Sequence, residues 1–186
     1  NKGIFFIPVN DQNKKNDVLF DEIINQTVNA EKWGIKEAFF GEHITDRHEK
    51  ISSSLSMVSA LSYLTKEIKL GTLTTNLNFF KPATISAIIS QVDNLSKGRL
   101  MLGVGSGANR SDVEAVDMLE KDNHKIMLEI LSILKKIFYE NDGFNIKTEN
   151  FNVSTEKNFN SDLGLGYFNK LYNNRKNLEI VMPALN

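Results

Sequence analysis

Short apolar runs alternate with longer amphipathic stretches along the first hundred residues of the chain. The apolar runs have few polar residues at alternate positions, a pattern typical of strands that are buried on both faces. They predict four strands, at residues 4–9, 37–43, 68–77 and 99–104. The amphipathic stretches repeat apolar residues at helical spacing and predict helices at residues 17–32, 52–65 and 82–98.

The predicted strands begin near residues 4, 37, 69 and 100, at separations of 33, 32 and 31 residues. Each separation has room for one strand, one helix and two short loops. Neighbouring parallel strands need a crossover of a dozen or more residues, which a helix usually supplies. The spacing therefore predicts a βα repeat, in an α/β fold whose parallel sheet is covered by helices.

The second half of the chain departs from this rhythm. Residues 109–123 are polar and predict a loop without recognisable chemistry, whereas residues 126–139 are amphipathic and predict a fourth helix. Apolar segments at 144–146 and 151–153 predict a hairpin. The Asn-rich residues 154–177 predict an irregular insertion or a lid.

A fifth buried strand is predicted at residues 178–182, directly before Pro183. We treat residues 1–186 as a single domain. A closed (βα)₈ barrel usually needs ~250 residues. A barrel of this type would therefore be present only in part, with about five of its eight strands.

The composition excludes several classes of function. The chain has 22 Lys and Arg against 23 Asp and Glu, so no basic excess is available for nucleic acid or anionic lipid. Its apolar runs fall far short of the ~20 residues of a membrane-spanning helix. We expect neither a nucleic-acid nor a membrane partner. The absence of Cys excludes disulfides, thiolate metal ligands and cysteine nucleophiles, and it fits a cytoplasmic protein.

Functional groups of a parallel α/β fold collect just past the carboxyl ends of its strands. The second predicted strand ends in Glu42 and His43, and the third carries polar residues at 74–76. The fourth ends in the glycine-rich segment 103–107. Glycines there let the backbone approach a flat or anionic ligand closely. These three strand ends are the candidate site.

The Glu42 and His43 pair has other interpretations. A histidine beside a carboxylate at a strand end is often only a hydrogen-bonded surface pair. Together with Asp46 and His48 the pair could also be drawn as a metal site, but adjacent loop positions lack the rigid scaffold that such a site needs. We predict no metal centre here.

Residues 103–108 also match the dinucleotide-binding pattern G-x-G-x-x-A. That fingerprint requires a tightly packed helix that begins inside the motif. Residues 110–122 are polar and interrupted by charges, which disfavours such a helix. The pattern alone is therefore weak evidence for a dinucleotide.

Several segments together resemble the bacterial luciferase-like, flavin-dependent monooxygenase family, over roughly residues 3–140. The opening and the Gly-Glu-His segment are most similar to the limonene-monooxygenase-like branch. The most specific segment is the last, where Leu-Ser-Lys-Gly-Arg precedes the glycine-rich strand end. The segments are GIFFIP at 3–8, AEKWG at 30–34, FGEH at 40–43, IKLGT at 68–72, PA at 82–83 and LSKGRLMLGVGSG at 95–107.

The resemblance implies a TIM-type barrel that holds reduced FMN at its carboxyl-terminal mouth. In the family, O₂ adds to the flavin to give a peroxyflavin, which oxygenates a small organic substrate. The residue that matches the catalytic histidine is His43, whose imidazole would position the peroxyflavin and exchange a proton with it. A flavin reductase is the implied supplier of reduced flavin.

The resemblance also assigns residues to the cofactor. Glu42 would support the flavin-ring site, and Thr74 would lie against the isoalloxazine ring. The peptide bond that enters Thr74, from Leu73, is often a non-prolyl cis bond in the family. The cofactor-binding residues are then Glu42, Thr74, Gly105, Ser106 and Gly107.

The chain departs from the family pattern at two positions. Ile44 stands where many relatives have a second histidine, and Ser106 stands where luciferases direct an arginine toward the phosphate. Family segments beyond the fifth strand are also absent from this sequence. Three interpretations of the chain stay open: a fragment, a reduced barrel, or a remnant without catalysis. A deazaflavin-dependent oxidoreductase of the same superfamily is an alternative function.

Two-faced patterning in residues 82–97 predicts a homodimer built on the second and third helices, and the resemblance implies the same interface. The large apolar side chains would cover the sheet, namely Ile85, Ile88, Ile89, Val92 and Leu95. Small residues would form an outer face that permits close helix contact, namely Ala83, Ser86, Ala87 and Ser90. The alternative is that these small residues pack inside the same chain.

Overall fold

A parallel sheet with helices packed against it forms the centre of the molecule. The computed structural model describes residues 2–7, 9–11, 13–140 and 144–183. The strands are β1 (Gly3–Phe6), β2 (Glu37–Phe40), β3 (Lys69–Thr72), β4 (Thr75–Asn76), β5 (Leu100–Gly105), β6 (Asn145–Lys147), β7 (Asn152–Ser154) and β8 (Glu179–Val181). The helices are α1 (Asn16–Lys32), α2 (Ser54–Leu64), α3 (Pro82–Leu95), α4 (Arg110–Ala115) and α5 (Asn123–Tyr139).

The main sheet has the strand order β1-β2-β3-β5-β8, and each neighbouring pair is parallel. In register, Phe6 lies opposite Phe40, and Phe40 lies opposite Thr72. Successive strands therefore end at one edge of the sheet. The βα repeat predicted from the strand spacing is confirmed, with α1, α2 and α3 as the crossovers.

The third predicted strand, residues 68–77, is interrupted. The strand β3 stops at Thr72, the Leu73–Thr74 peptide bond is cis, and the chain resumes as β4. Thr75 and Asn76 of β4 then pair with Val104 and Gly105, the last residues of β5. This cis bond is the one that the family resemblance implies.

The edge strands are not buried on both faces, and this part of the prediction is wrong. The strand β1 ends at Phe6 rather than residue 9, and Phe5 and Ile7 are 44% and 47% exposed. Pro8 lies outside the described residues. Of the strand β8, Glu179 is exposed and Ile180 is only partly buried. The reason is position, because β1 and β8 each have one neighbouring strand in the sheet.

The apolar face of α3 is rotated from the predicted one. Ser86 and Ser90 are fully buried, whereas Ile88 is exposed. Ser90 Oγ donates a hydrogen bond to the Lys170 carbonyl, and α3 also packs against α5. The small residues thus give close packing inside the chain, so the predicted outer face is wrong for Ser86 and Ser90. Ala87 does lie on the exposed side.

A helix exists where the sequence predicts only a loop. The six-residue helix α4 begins directly after the glycine-rich strand end, and Asn109 caps it by accepting a hydrogen bond from Ser111 N. Residues 109–123 are therefore not all loop. Asx capping outweighs the poor apolar pattern, since it satisfies a free N–H at the helix start.

The remaining predicted elements are present. The helix α5 buries one apolar face, including Met127, Ile130 and Leu134, and Asp122 caps its start. The strands β6 and β7 form the predicted antiparallel hairpin. Trp33, at the end of α1, is 79% exposed.

Residues 155–177 contain two short 3₁₀ turns, Glu156–Asn158 and Tyr172–Asn174. An ion pair joins this segment to the sheet layer. Arg175 donates to both carboxylate oxygens of Asp93, a fully buried residue of α3, and also to the carbonyls of Gly98 and Leu100. Tyr172 N donates to the same Asp93 carboxylate. These bonds attach the carboxyl-terminal end of the segment to α3 and to the start of β5.

No helix in the described part of the chain has the length and apolar character that crossing a bilayer requires.

Candidate functional site

The three strand ends singled out by the sequence meet at one edge of the sheet. Because β2, β3 and β5 run parallel, His43, Thr74 and the 105–107 segment follow their carboxyl ends. This edge has the position at which parallel α/β folds carry their sites. The described side chains there form a hydrogen-bonded network around His43.

His43 is held by an aspartate from the next βα connection. Its Nδ1 lies 2.9 Å from Oδ2 of Asp112, which belongs to α4. Asp112 is 1% exposed, and its Oδ1 accepts hydrogen bonds from both the N–H and the hydroxyl of Thr45. Thr45 Oγ1 also contacts Ser111 Oγ at 2.6 Å. The loop after β2 and the start of α4 are thus connected through Asp112.

The environment of Asp112 favours its ionised form. Burial alone would raise the pKa of the carboxyl group. Hydrogen bonds from Thr45 and His43, together with the charge of a protonated His43, outweigh burial and hold the pKa below its ordinary value. An ionised carboxylate can only accept hydrogen bonds, so the proton between the two residues lies on His43 Nδ1.

The other ring nitrogen of His43 faces a second carboxylate. Nε2 lies 3.4 Å from Oε2 of Glu49, and the His43 side chain is 27% exposed. With Nδ1–H fixed on Asp112, Nε2 is the nitrogen that can take up or release a proton. Carboxylates thus orient the imidazole ring on both sides, and the ring stays partly exposed near the carboxyl ends of the strands.

Glu42 is hydrogen-bonded to two neighbouring elements of the site. Its Oε2 accepts from Ser54 N and Ser54 Oγ at 2.9 and 2.6 Å, and its Oε1 accepts from Asn76 N at 3.0 Å. Burial raises the pKa of this carboxyl group, although these hydrogen bonds and His43 oppose the rise. The carboxylate therefore fixes the start of α2 and the strand β4, and through these two elements it supports the site.

Thr74 and Gly105 are in close contact. A Cβ on Gly105 would lie 2.2 Å from Thr74 Oγ1 and 3.0 Å from Asn76 Oδ1, so no larger residue fits there. Gly107 has a φ of +81°, a conformation that other residues rarely adopt. Neighbouring side chains fill the space beside both glycines, those of Thr74 and Asn76 at Gly105 and those of Phe79 and Val113 at Gly107. Ser106 lies between them, and its carbonyl accepts from Asn78 Nδ2 at 2.9 Å.

The side chains that could be drawn as a metal site point to separate partners. Asp46 accepts from the backbone N–H groups of His48 and Glu49, and His48 Nδ1 contacts the Asn10 carbonyl at 3.0 Å. Glu42 is engaged by Ser54 and Asn76. Within the described ranges, no group of three or more His, Asp or Glu side chains could hold a metal ion.

Asp112 and Glu49 contact His43, and neither was predicted from the sequence. Asp112 lies in the polar stretch that we interpreted as having no recognisable chemistry, and 69 residues separate it from His43. A signal was present in retrospect. Asn109 is a good N-cap, and an acidic residue in the following first turn is typical of a short helix.

A polar cavity of about 510 Å³ opens beside His43, between the loops that follow β1 and β2. Its wall includes Asn13, Asn16, Arg47 and Lys50. It has the size of a small-molecule site.

A cavity of about 590 Å³ lies at the other end of the sheet, beside Tyr63 and Arg99. The Arg99 guanidinium there donates to the carbonyls of Ser62, Thr65, Ile68 and Ser96. These bonds join the ends of α2 and α3 to the sheet. We assign the site to the His43 end, because the ionisable network lies there.

Comparison with known proteins gives the same picture. The model of the family described as luciferase-like monooxygenase matches residues 2–159. Limonene 1,2-monooxygenase from Rhodococcus erythropolis is 22% identical over 135 residues, which are 73% of this chain and 35% of that protein. The chain spans about a third of the length of the curated relatives that it matches.

Two solved structures share the fold. The oxygenating constituent of 3,6-diketocamphane monooxygenase from Pseudomonas putida, in complex with FMN, superposes with a TM-score of 0.86 at 21% identity. It matches 97% of this chain and 50% of its own. The coenzyme F420-dependent tetrahydromethanopterin reductase from Methanopyrus kandleri has a TM-score of 0.71 at 16% identity, over 98% of this chain and 50% of its own.

These likenesses confirm the predicted fold class, a TIM-type barrel of which this chain forms about half. The parallel strand order, the cis bond before Thr74 and the glycine-rich end of β5 agree with that class. The match of the family model covers most of the chain. The chain therefore belongs to the luciferase-like monooxygenase family.

Proposed function

We propose that this chain is an FMN-dependent monooxygenase, or the amino-terminal part of one, which transfers one oxygen atom of O₂ to a small organic substrate. The observation that carries the proposal is the His43 and Asp112 pair at the carboxyl ends of the strands. An imidazole oriented by a buried carboxylate is suited to proton transfer. Similarity to an FMN-bound Baeyer-Villiger monooxygenase supports the choice of cofactor.

The residues present fit a flavin. The strand end carries no side chains of its own at Gly105 and Gly107, and Thr74 packs directly against Gly105. Glycines let a backbone approach a flat ring closely. Thr74, Gly105 and Gly107 would hold the ring, and Ser106 would contribute an uncharged contact. FMN in its reduced form supplies the two electrons that oxygenation with O₂ requires.

His43 carries the proton chemistry in this proposal. Asp112 fixes the Nδ1–H tautomer, which leaves Nε2 at the mouth as the atom that gives or accepts a proton. Glu49, 3.4 Å from Nε2, stabilises the ring when it is protonated. Asp112 and Glu49 act through His43 and are positioning residues.

Glu42 and Ser54 keep this arrangement rigid. The Glu42 carboxylate joins the residue before His43 to the start of α2 and to β4. Pre-organised groups of this kind lower the reorganisation that a reaction requires. The polar cavity beside His43 gives a small organic substrate room to reach the imidazole ring of that residue.

A deazaflavin-dependent oxidoreductase is the second candidate. Its support is the shared fold with an F420-dependent reductase and the absence of an arginine at Ser106. We favour FMN because the FMN-bound neighbour superposes with the higher TM-score. A flavin reductase is the partner that would supply reduced FMN.

We also propose that the chain forms a homodimer through α2 and α3. The helix α2 contains no charged residue, and the only charged residue of α3, Asp93, is buried. Water-exposed helices usually carry charges, so an uncharged outer surface favours association. The surface consists of Ser56, Ala60, Tyr63, Leu64, Ala87, Ile88 and Gln91.

Turnover by a His43→Ala variant tests the proposal. The assay supplies saturating reduced FMN, O₂ and a panel of cyclic ketones, since related proteins are named for oxygenating them. Loss of a positioned acid–base group should lower turnover roughly 10²-fold. His124→Ala, which changes an exposed histidine of α5, is the matched control. Equal turnover by His43→Ala and the parent chain would remove His43 from the mechanism.

A further inference from the structure

Thr45 supplies two of the hydrogen bonds that reach the buried carboxylate of Asp112. Its backbone N–H donates to Asp112 Oδ1 at 2.8 Å, and its hydroxyl donates to the same oxygen. The other carboxylate oxygen, Oδ2, accepts from His43 Nδ1. The Asp112 side chain is 1% exposed, so water cannot take the place of the Thr45 hydroxyl as a donor.

The charged partner of the Asp112 carboxylate is His43, whose charge comes and goes with its proton. When the ring is neutral, hydrogen bonds must keep the buried carboxylate ionised. Burial acts to raise the pKa of Asp112, and the hydroxyl of Thr45 is the strongest of the groups that lower it. Arg110 and Glu114, which flank Asp112 on α4, are exposed, and Glu49 faces the other nitrogen of the His43 ring.

A second hydroxyl extends this chain of hydrogen bonds to the surface. Ser111 Oγ lies 2.6 Å from Thr45 Oγ1 and donates to Asn109 Oδ1 at 2.8 Å. Ser111 N donates to the same amide oxygen at 3.1 Å, which fixes the orientation of the Asn109 amide. Ser111 is exposed. The chain therefore runs from the buried Asp112 through Thr45 to an exposed serine.

The charge of Asp112 sets the direction of these bonds. An ionised carboxylate can only accept, so the single hydroxyl hydrogen of Thr45 points to Asp112, and Thr45 Oγ1 can then only accept from Ser111. With a proton on Asp112 Oδ1, Thr45 would accept that hydrogen and donate to Ser111, which would donate to Asn109. Both directions depend on the Thr45 hydroxyl.

The ring of His43 also has partners for its other neutral tautomer. Asn109 Nδ2 lies 3.5 Å from Nδ1, and Glu49 Oε2 lies 3.4 Å from Nε2. A ring with its proton on Nε2 would accept from Asn109 and donate to Glu49. The ionised carboxylate of Asp112 opposes this tautomer, because it needs the hydrogen on Nδ1.

We propose that Thr45 is a positioning residue for His43, and that its hydroxyl acts by holding Asp112 as a carboxylate. The proton then stays on Nδ1, and Nε2 is left to exchange one. Without the hydroxyl, Asp112 Oδ1 loses one of the two donors named above, and no water can reach it. That Nε2 serves oxygenation rests on the proposed function, whereas the states of Asp112 and His43 do not.

Nuclear magnetic resonance of the flavin-free chain tests this, with ¹³C in the aspartate carboxyl groups and ¹⁵N in the histidine rings. Asp112→Asn and His43→Ala assign the two signals. Thr45→Val keeps the branched shape and the backbone N–H. In this variant Asp112 should take up its proton at a higher pH than in the parent chain, and the Nε2–H tautomer of His43 should increase. Thr45→Ser retains the hydroxyl and should match the parent in both signals.

Thr148→Val is the matched control, because it removes a threonine hydroxyl that donates to another carboxylate, that of Glu129. It should change neither signal. Thr45→Ala removes the same hydroxyl as Thr45→Val and decides the question if that variant does not fold. Parent-like Asp112 titration and parent-like His43 tautomers in both variants that lack the hydroxyl would overturn the proposal.

Turnover with saturating reduced FMN and O₂ links the network to the reaction. Thr45→Val should lower kcat roughly tenfold, the scale of one hydrogen bond to a charged group, with KM nearly unchanged and with recovery in Thr45→Ser. Parent-like kcat in Thr45→Val would overturn the positioning role. A parent chain without turnover would contradict the proposed function instead, and the two resonance signals would then decide the present proposal.

Discussion

Asp112 holds the ring of His43 across 69 residues of sequence, with its Oδ2 2.9 Å from Nδ1. The aspartate is buried, whereas the histidine reaches the mouth. Removal of one partner should therefore affect both the orientation of the ring and the stability of the loops that Asp112 joins through Thr45.

The stability supplied by Asp112 should depend on pH. Its pKa in the folded chain is below the ordinary value, so folding favours the ionised carboxylate. The contribution is complete above the unfolded pKa of about 3.9 and is lost as the pH falls through the lower folded value. Asp112→Asn should lower the free energy of unfolding by about 1–3 kcal/mol at pH 7.

Urea denaturation at several pH values measures this difference. The gap between the parent chain and Asp112→Asn should shrink below pH ~4, where the Asp112 carboxylate of the unfolded parent chain takes up its proton before that of the folded chain does. Asp162→Asn, at an exposed position, is the control and should change the unfolding free energy little. A gap of constant size down to pH ~2 would show that Asp112 does not act as an ionised acceptor.

Gly105→Ala should damage the site at its strand end. The added methyl group would lie 2.2 Å from Thr74 Oγ1 and 3.0 Å from Thr74 Cβ, so the Thr74 segment must move. Overpacking of this kind costs about 1–3 kcal/mol. Thermal unfolding and FMN titration should both show a loss. Gly3→Ala, whose methyl group would meet its neighbours at 3.5 Å, should have neither effect.

Arg175→Leu should destabilise the chain strongly. Asp93 is fully buried, and of its donors in the described part of the chain the carboxylate would keep the Tyr172 N–H alone. A buried carboxylate that loses its partner costs about 3–5 kcal/mol. Denaturant unfolding measures the loss, with Arg110→Leu at an exposed position as control. A loss of less than about 1 kcal/mol would mean that the ion pair contributes no more than a surface pair.

Ala87→Arg tests the dimer. A charged side chain at the centre of the uncharged α2 and α3 surface should shift the particle mass toward that of a monomer, or cause aggregation, in light scattering. Ser161→Arg, in the irregular segment, should leave the mass unchanged. The dimer proposal fails if the parent chain is a monodisperse monomer at a concentration of tens of micromolar, because that concentration is well above the dissociation constant of a stable dimer.

The sequence predicts the frame of this fold well, because the relevant signals are local. Strand spacing of 31–33 residues and helical periodicity give the parallel sheet and its crossovers. The exposure of Phe5 and Ile88 could not be derived in this way. It depends on which strand lies at the edge and on how α3 is rotated by packing against α5, and both are tertiary properties.

The site was predictable in its positions and less so in its contacts. Strand ends give His43, Thr74 and Gly105, since parallel strands bring their carboxyl ends together. Asp112 was missed because a short capped helix has a weak apolar pattern. The bonds of the Glu42 carboxylate to Ser54 and Asn76 were also not predictable, because they depend on how α2 and β4 pack beside the strand end.

Titration of the purified chain with FMN and with F420, followed by absorbance and fluorescence, tests the central claim most directly. We expect saturable FMN binding with one flavin per chain, with micromolar rather than nanomolar affinity (a difference of about 4 kcal/mol) because Ser106 offers no charged contact. F420 should not displace it, and Gly105→Ala should weaken it. Absence of any bound flavin, or preferential binding of F420, would contradict the assignment of this chain as an FMN-dependent monooxygenase.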